Sequence, residues 1–261
     1  MKYTEIVSKD NPVFKVAKTL LTPRGIKKSG LFLAEGYRAV KQIISYGGQD
    51  KILVRKSAIE EFLTKIPDFD GSVYVLSNIL FDSLSDTVNS QGVILISEKS
   101  TYDISKLFHL KKAVVVMADG VQDPGNLGSI IRTAVSFDAV AVLCNKGTTE
   151  PFSLKAVRSS MGGCFKIPII ETDTNFISNL KANGYTIYGS FLSSDSINYA
   201  ETSYSEKSVI IMGNEGSGIS NEVSALCDHK IHIPMSSKME SLNVSVACAI
   251  ILSRIYQLEK K

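Results

Sequence analysis

Three loops rich in glycine and small polar residues each follow a strongly apolar run. They span residues 119–128, 212–220 and 233–243. In open α/β sheets ligands bind beyond the carboxyl ends of strands, so these loops predict one shared binding site. The first loop leads into a helix that carries Arg132, and a cation near the positive end of that helix favours a nearby phosphate. An ordinary surface arginine is the alternative interpretation of Arg132.

The second and third loops contain residue types that suit a binding site. The glycines around Glu215 follow the order GxxGxG and permit close approach of backbone to a ligand. The chain lacks the dinucleotide fingerprint GxGxxG and the phosphate loop GxxxxGK[ST]. The alternative is a structural turn with an exposed Glu215. Ser241 and Asn243 are residue types that start helices, and capping alone explains one of them.

Metal chemistry is not predicted. The four cysteines form no CxxC pair and lie in apolar neighbourhoods, as expected of reduced, buried thiols; they are Cys144, Cys164, Cys227 and Cys248. His229 and His232 lie three apart in a predicted strand, so their side chains point to opposite faces and a structural role is expected.

Strands alternate with helices in both halves of the chain, which predicts an α/β fold. In the first half, residues 2–21 and 36–45 are predicted as helices. Predicted strands of the second half are 113–118, 140–144, 165–170, 186–190, 209–212 and 230–233, and its predicted helices include 127–137 and 241–260. A polar stretch near residues 97–106 has few apolar anchors and is typical of a connector between domains.

Charge and hydropathy limit the partners and the location. The formal net charge is only +3, but the first thirty residues hold seven Lys or Arg and two acidic residues. Such a basic arm can bind phosphates, and it can equally be a solvated helix surface. Charged residues interrupt the N-terminus before an apolar signal region forms, and the longest apolar stretch is too short to span a bilayer. We expect a cytoplasmic protein with no membrane partner.

Four segments resemble the motifs of a known enzyme family. They are Asp-Pro-Gly-Asn-Leu-Gly-Ser-Ile-Ile-Arg-Thr-Ala at 123–134, Lys-Ala-Val-Arg-Ser-Ser-Met-Gly at 155–162, Met-Gly-Asn-Glu-Gly-Ser-Gly-Ile-Ser at 212–220, and Ile-Pro-Met followed by Glu-Ser-Leu-Asn-Val-Ser-Val-Ala within 233–247. By these motifs the chain is identified as a member of the SpoU family, also called TrmH. This family comprises S-adenosylmethionine-dependent RNA 2′-O-ribose methyltransferases of the SPOUT superfamily.

The resemblance implies a fold and a domain order. It implies a SPOUT-type parallel sheet with a deep trefoil knot, a rare exception to the usual rules of chain topology. Phe-Leu-Ala-Glu-Gly-Tyr-Arg at 32–38 is similar to the family's small, ribosomal-protein-like α/β domain. The implied domains are an RNA substrate-binding domain at 1–98, a linker at 99–108 and a methyltransferase domain at 109–261.

The resemblance also implies site residues. The family's catalytic and substrate-site positions fall on Asn126, Arg132, Glu215, Ser241 and Asn243, and its cofactor contacts fall near Gly213, Ile233, Met235 and Leu242. Glu215 would fix Asn126 or its own loop. The chain departs from the family in two places, because Ser237 and Asp138 stand where the family usually has glycine.

Two roles are open for Arg132. In one, a desolvated, neutral Arg132 removes the proton from the ribose hydroxyl, although an arginine with its ordinary pKa above 12 is a poor base. In the other, a cationic Arg132 positions an RNA phosphate and stabilises the developing oxyanion.

The family resemblance implies RNA as the substrate. Family members with this kind of N-terminal domain act more often on ribosomal RNA than on tRNA, so we expect 23S rRNA to be the substrate. The alternatives are a tRNA 2′-O-methyltransferase, methylation of a base, and a non-catalytic RNA-binding protein that keeps the fold. A homodimer is expected because the last helix is apolar nearly all round and the family builds its site at a subunit interface. The apolar residues expected at that interface are Val244, Ala247, Ile250, Ile251 and Ile255.

Overall fold

The computed structural model describes residues 2–46, 51–87, 89–193 and 195–260. The chain forms two compact units. The first comprises the residues up to Ser100 together with Phe152–Phe165, and the second comprises Thr101–Pro151 and the residues from Lys166 onward.

The strands are β1 Tyr3–Ile6, β2 Leu31–Glu35, β3 Lys51–Arg55, β4 Ser72–Leu76, β5 Val93–Glu98, β6 Ala113–Asp119, β7 Ala141–Cys144, β8 Ile169–Glu171, β9 Thr186–Ser190, β10 Ile197–Asn198, β11 Lys207–Gly213 and β12 His229–His232. The helices are α1 Pro12–Thr19, α2 Pro23–Ser29, α3 Tyr37–Ser45, α4 Ile59–Lys65, α5 Asn78–Asp82, α6 Lys106–His109, α7 Pro124–Ser136, α8 Leu154–Ser159, α9 Thr174–Ala182, α10 Asn221–Ser224 and α11 Val244–Glu259. Short 3-10 turns cover Lys56–Ala58 and Gly163–Phe165.

The first unit is built on a mixed five-stranded sheet in the order β1-β4-β3-β5-β2. Strand β4 pairs in parallel with β1 and β3, whereas β5 is antiparallel to both β3 and β2. The α/β class that the sequence predicts for this half is therefore confirmed. The helix predicted over residues 2–21 is wrong over its first half, because Tyr3–Ile6 is a strand, and it is borne out only at Pro12–Thr19. Helix α1 begins only after Asn11, whose side chain caps it, with Pro12 at the first helical position.

Segment Phe152–Phe165 belongs to the first unit although it comes from the second half of the sequence. The family resemblance implies a position for this segment within the C-terminal domain, residues 109–261. Its rings explain the difference, because Phe152 and Phe165 both contact the fully buried Phe32 of β2, with ring centroids 5.2 and 5.3 Å away. The burial of these aromatic side chains stabilises the segment in the first unit.

The second unit is built on a seven-stranded sheet in the order β10-β12-β9-β11-β6-β7-β8, and every adjacent pair is parallel. Every residue of β6 is buried, as expected for a central parallel strand covered on both faces. The predicted strand at 165–170 is wrong over its first half, because Gly163–Phe165 is a 3-10 turn and β8 begins only at Ile169.

The helices that frame the second unit's loops differ from the predictions at their starts. Helix α7 begins at Pro124, three residues before the predicted start, because Asp123 caps it and proline suits the first position. Helix α11 begins at Val244, three residues after the predicted start, and Asn243 is its cap. Across the described ranges, no helix is both long enough and apolar enough to cross a bilayer.

Candidate functional site

The three polar loops meet at one edge of the second unit's sheet. The loop after β6 leads into α7, the loop after β11 contains Glu215, and the loop after β12 leads into α11. Because all seven strands are parallel, the carboxyl ends of these strands lie at the same edge. The predicted gathering of the three loops therefore follows directly from the strand order.

The loop after β11 folds tightly upon itself. The backbones of Asn214 and Gly218 exchange two hydrogen bonds, of 2.9 and 3.0 Å. The Oδ1 atom of Asn214 accepts hydrogen bonds from the backbone N–H groups of Gly216 and Ser217. A Cβ atom on Gly213 would lie 2.4 Å from the carbonyl carbon of Gly218, so no other residue fits at 213. This compact loop holds Glu215 in place.

Glu215 connects its loop to the start of α7. Its two carboxylate oxygens accept hydrogen bonds from the backbone N–H groups of Gln122 and Asp123, at 3.1 and 3.2 Å. The same carboxylate accepts a 2.9 Å hydrogen bond from Nδ2 of Asn126. Glu215 thus binds both the loop before α7 and Asn126. Burial raises the pKa of Glu215, but these hydrogen bonds to the charged form outweigh it and hold the pKa below its usual value.

Asn126 links Glu215 to the start of α11 through a second hydrogen bond. Its Oδ1 accepts a 2.9 Å hydrogen bond from Nδ2 of Asn243. The Oδ1 of Asn243 accepts hydrogen bonds from the backbone N–H groups of Ser245 and Val246, which caps α11. We call the connected side chains Glu215, Asn126 and Asn243 the amide relay. A carboxylate is at one end and backbone donors are at the other, so the orientation of both amides is fixed.

A cavity of about 730 Å³ lies beside the amide relay, and all of its wall belongs to the second unit. The four predicted cofactor residues line it, namely Gly213, Ile233, Met235 and Leu242. Glu215, Ser241 and Asn243 also line it. A volume of this size and a wall of mixed apolar and polar groups are typical of small-molecule sites.

Arg132 is not part of the cavity wall. It is exposed on α7, and within the described part of the chain its guanidinium group has no hydrogen bond or ion pair. The helix-dipole argument for Arg132 is wrong, because α7 begins at Pro124 and Arg132 lies more than two turns from the positive end. Asn126 likewise does not line the cavity, but it reaches Asn243, which does.

Sequence reasoning missed several residues of the site. Ser190, Phe191 and Leu192 line the cavity because they form the carboxyl end of β9 and the two residues after it, and β9 lies between β11 and β12 in the sheet. Asp119, 3 % exposed at the end of β6, accepts hydrogen bonds from Asn145 and from the backbone N–H of Ser220. The signal for Asp119 was its place after an apolar strand, whereas the order of the strands in the sheet is not visible in a single sequence.

The two departures from the family pattern have different structural consequences. Asp138 has a φ of 55°, in the left-handed region that favours glycine. Ser237 does not have a positive φ, so the backbone there does not require glycine.

The four cysteine thiols were expected to be buried. Cys144, Cys164 and Cys248 are buried, whereas Cys227 is half-buried. Burial raises the pKa of the Cys248 thiol to about 12.

Both the sequence and the fold are similar to those of known proteins. Residues 113–253 match the SpoU rRNA Methylase family, and residues 11–95 match the MRM3-like substrate binding domain. The 23S rRNA (guanosine(2553)-2′-O)-methyltransferase RlmP of Bacillus subtilis (strain 168) is 33% identical over 252 residues, which are 95% of this chain and 97% of that protein. The crystal structure of an AdoMet-bound rRNA methyltransferase from Sinorhizobium meliloti is 29% identical, with a TM-score of 0.83 and 98% of both chains covered. The AdoMet complex of AviRb from Streptomyces viridochromogenes, 22% identical with a TM-score of 0.85 over 96% of this chain and 99% of that one, shares the fold.

Proposed function

The chain belongs to the SpoU rRNA methylase family, and we propose that it transfers a methyl group from S-adenosylmethionine to a ribose 2′-hydroxyl of 23S rRNA. The observation that carries this proposal is the cavity beside the amide relay, because the relay joins the motif segments 123–134, 212–220 and 233–247 at the cavity's edge. The similarity to a 23S rRNA guanosine 2′-O-methyltransferase over 95% of the chain supports the choice of RNA. We expect the equivalent guanosine to be the target and the cytoplasm to be the place of action.

The cavity fits S-adenosylmethionine. Its wall offers the apolar side chains of Ile233, Met235 and Leu242 together with the backbone of the loop at Gly213. An adenine ring needs the first kind of contact, and the polar groups of the cofactor need the second. When bound, the cofactor supplies an electrophilic methyl group on a sulfonium centre.

The residues of the chain position the ribose and stabilise charge. The amide relay holds the starts of α7 and α11 at a fixed separation, and Ser241 faces the cavity beside Asn243. We assign Arg132 the cationic role, because its guanidinium group is exposed on α7, where it can reach an RNA phosphate. It would hold an RNA phosphate and stabilise the negative charge that develops on the attacking oxygen.

A homodimer would explain why Arg132 lies outside the cavity of its own chain. An open groove of about 500 Å³ runs along α11 and is lined by residues that include Val246, Ala249 and Ile250. Of the five residues expected at an interface, Val244, Ile251 and Ile255 are instead buried within their own unit. The apolar surface that remains on α11 is therefore centred on Val246 and Ile250. Helix α11 packs on α7, so a second copy bound there would approach the helix that carries Arg132.

We also propose finer features of the fold and the domains. The trefoil knot is supported by the strand order, since β12 lies between β9 and β10 and is followed by α11, which packs on α7. Single-molecule stretching would detect the knot as a contour length shorter than that of the open chain. The first unit would bind RNA, and its likeness to the MRM3-like substrate binding domain supports this role.

The proposed function is tested by methylation of defined RNA. Ribosomal RNA from cells that lack the gene is incubated with the protein and S-adenosylmethionine, and nuclease digestion with mass spectrometry locates the methyl group. We expect a single 2′-O-methylguanosine in 23S rRNA. A methylated tRNA, a methylated base or binding without transfer would contradict the proposal. Omission of S-adenosylmethionine gives the background.

A further inference from the structure

The loop after β11 is held at both of its ends by one residue of the neighbouring strand β6. Every residue of this loop, 213–219, lines the cavity of the second unit. Asp119, the last residue of β6, lies opposite Gly213 in the sheet, where the loop begins. Its Oδ2 accepts a 2.7 Å hydrogen bond from the backbone N–H of Ser220, where the loop ends. Both ends of the loop therefore meet at Asp119.

The carboxylate of Asp119 is buried and accepts hydrogen bonds on both oxygens. The residue is only 3 % exposed. Its Oδ1 accepts a 2.6 Å hydrogen bond from Nδ2 of Asn145, which directly follows β7. A carboxylate can only accept, so it fixes which end of the Asn145 amide faces it. Burial of the charge is costly, and these two hydrogen bonds offset the cost.

The contact at Ser220 is made by the backbone and not by a side chain. The side chain of Ser220 is exposed and makes no capping hydrogen bond to α10. The middle of the loop is bound to the same short segment of β6, because Nδ2 of Asn214 donates a 2.8 Å hydrogen bond to the carbonyl oxygen of Gly120. The backbone position of the whole loop thus depends on the end of β6.

Asp119 and Asn145 do not line the cavity, so a change at either residue reaches a ligand only through the loop. The loop has little room to absorb a shift. A Cβ atom on Gly213 would lie 2.4 Å from the backbone nitrogen of Ile219, which shows how closely the two ends of the loop approach. Release of the end at Ser220 should therefore move the residues that face the cavity, Glu215 among them.

We propose that Asp119 is a positioning residue of the cofactor site, which holds the loop after β11 in the conformation that binds S-adenosylmethionine. The hydrogen bond from Ser220 performs this role, and the hydrogen bond from Asn145 stabilises the buried charge. The inference rests on the proposed function in that the cavity takes this cofactor.

The test measures two properties of the full-length protein. Calorimetry gives the affinity for S-adenosylmethionine, and hydrogen exchange without the cofactor reports on the backbone of residues 213–220. Asp119→Ala should weaken cofactor binding about tenfold, the effect expected for one lost hydrogen bond. It should also speed up exchange in residues 213–220, because the end of the loop is no longer held.

Asp119→Asn separates hydrogen bonding from charge. An asparagine at 119 can accept from Ser220 through Oδ1 and donate through Nδ2 to Asn145, whose amide turns to present its own oxygen. The affinity for the cofactor should therefore stay close to that of the wild type. An Asp119→Asn variant that binds as weakly as Asp119→Ala would overturn the proposal, since the charge and not the hydrogen bond would then be required.

Asn145→Ala is the matched control for a loss of stability. It removes the other hydrogen bond of Asp119 and leaves the loop held at Ser220. We expect a lower melting temperature, with cofactor affinity and loop exchange close to those of the wild type. Binding weakened as much as in Asp119→Ala would show that general destabilisation explains both variants, and the positioning role would be lost. Unchanged binding and exchange in Asp119→Ala would have the same consequence.

If Asp119→Ala does not fold, an exchange of the two side chains decides the question. Asn145→Asp alone places two carboxylates face to face, so cofactor binding should weaken. Adding Asp119→Asn exchanges donor and acceptor within the pair and should restore binding. Equal affinities in the single and the double variant would contradict the proposal. Because loop exchange is measured without the cofactor, it still decides the role of Asp119 in a protein that binds no S-adenosylmethionine, a result that would contradict the proposed function alone.

Discussion

At the scale of single residues, the amide relay fixes the orientation of every group in it. Glu215 can only accept hydrogen bonds, so Asn126 must turn its Nδ2 toward it. The Oδ1 of Asn126 then faces Asn243, whose own Oδ1 faces the N–H groups of α11. Reversing one amide would place two donors or two acceptors opposite each other. The site therefore depends on the charge of Glu215 more than on its size.

Glu215→Gln should lower the rate of methyl transfer at least tenfold. The replacement removes the negative charge that holds three hydrogen-bond donors and turns one of the acceptor oxygens into a donor group. Single-turnover transfer to 23S rRNA measures the effect. Glu222→Gln, which changes an exposed glutamate of α10, is the control and should be unaffected. Equal rates in the two variants would contradict the role of the relay.

The same variant gives a pH dependence with a defined sign. The pKa of Glu215 is lowered in the folded protein, so its contribution to stability is present above the ordinary glutamate value and is lost as the pH falls through the lowered value. The difference in melting temperature between wild type and Glu215→Gln should therefore be constant above about pH 4.3 and shrink below it. We expect the difference to be small, because the side chain is exposed to solvent.

Arg132→Ala should abolish methyl transfer while the affinity for S-adenosylmethionine stays within a few-fold. Arg132 is exposed and does not line the cavity, so neither the fold nor the cofactor site depends on it. Arg132→Lys should be nearly as inactive, because lysine keeps the charge but loses the planar, two-pronged contact with phosphate. Calorimetry measures cofactor binding, and a radiolabelled methyl group measures transfer. Substantial activity in Arg132→Lys would show that only a diffuse charge is needed.

Asp138→Gly should stabilise the protein by about 0.5–1 kcal/mol, because glycine adopts the left-handed conformation of Asp138 without strain. The melting temperature should rise by roughly 2 °C. The matched control is Asn183→Gly at the end of α9, where φ is −97°. Glycine relieves no backbone strain at Asn183 and makes the unfolded chain more flexible, so this variant should be slightly destabilised. A lower melting temperature for Asp138→Gly would contradict the strain argument.

At the scale of elements, local sequence patterns predicted where most strands lie along the chain but not which strands pair with each other in the sheet. The strand at Thr186–Ser190 and the buried run that begins at Ala113 follow from apolar patterning and β-branched residues. The helix expected over residues 2–21 failed because Asn-Pro at 11–12 starts a new helix and the preceding strand is short. The relay between Asn126 and Asn243 joins residues 117 positions apart, and periodicity carries no information on such contacts.

The segment Phe152–Phe165 is the element whose position sequence reasoning could not give. Its contacts with Phe32 are long-range, and they make deletion of residues 1–98 an unsuitable test of domain function. Such a truncation would expose the rings of Phe152 and Phe165 to water. Substitutions in the full chain avoid this difficulty.

Phe152→Ala should destabilise the first unit by about 3–5 kcal/mol, the usual cost of removing a buried phenylalanine. Hydrogen exchange measured by mass spectrometry should speed up in β2, while β6 and β11 in the second unit keep their protection. Ile79→Ala, at a side chain that is 80 % exposed, is the control and should have almost no effect. Uniformly faster exchange in both units would contradict their description as separate compact units.

At the scale of the whole molecule, the exposed part of α11 predicts a dimer that is needed for catalysis. Val246→Glu should give a monomer in light scattering, because a charge would replace an exposed apolar side chain that the proposed interface buries. The fold should tolerate this change, since Val246 lies in the first turn of α11 and an acidic residue is favourable there. Methyl transfer should be lost and cofactor binding retained. Ile79→Glu is the control, and a dimeric, inactive Val246→Glu would contradict the proposed interface.

The placement of Phe152–Phe165 also determines when the first unit can be completed during translation. The ribosome delivers all five strands of the first sheet by Glu98, but the two rings that cover Phe32 arrive only with Phe152 and Phe165. At synthesis rates of about 5–20 residues per second, this interval lasts several seconds. The nascent chain therefore carries an incomplete core beside its tunnel exit while the first strands of the second unit emerge. Rare codons between residues 101 and 151 would lengthen this interval and give chaperones more time to bind the uncovered surface.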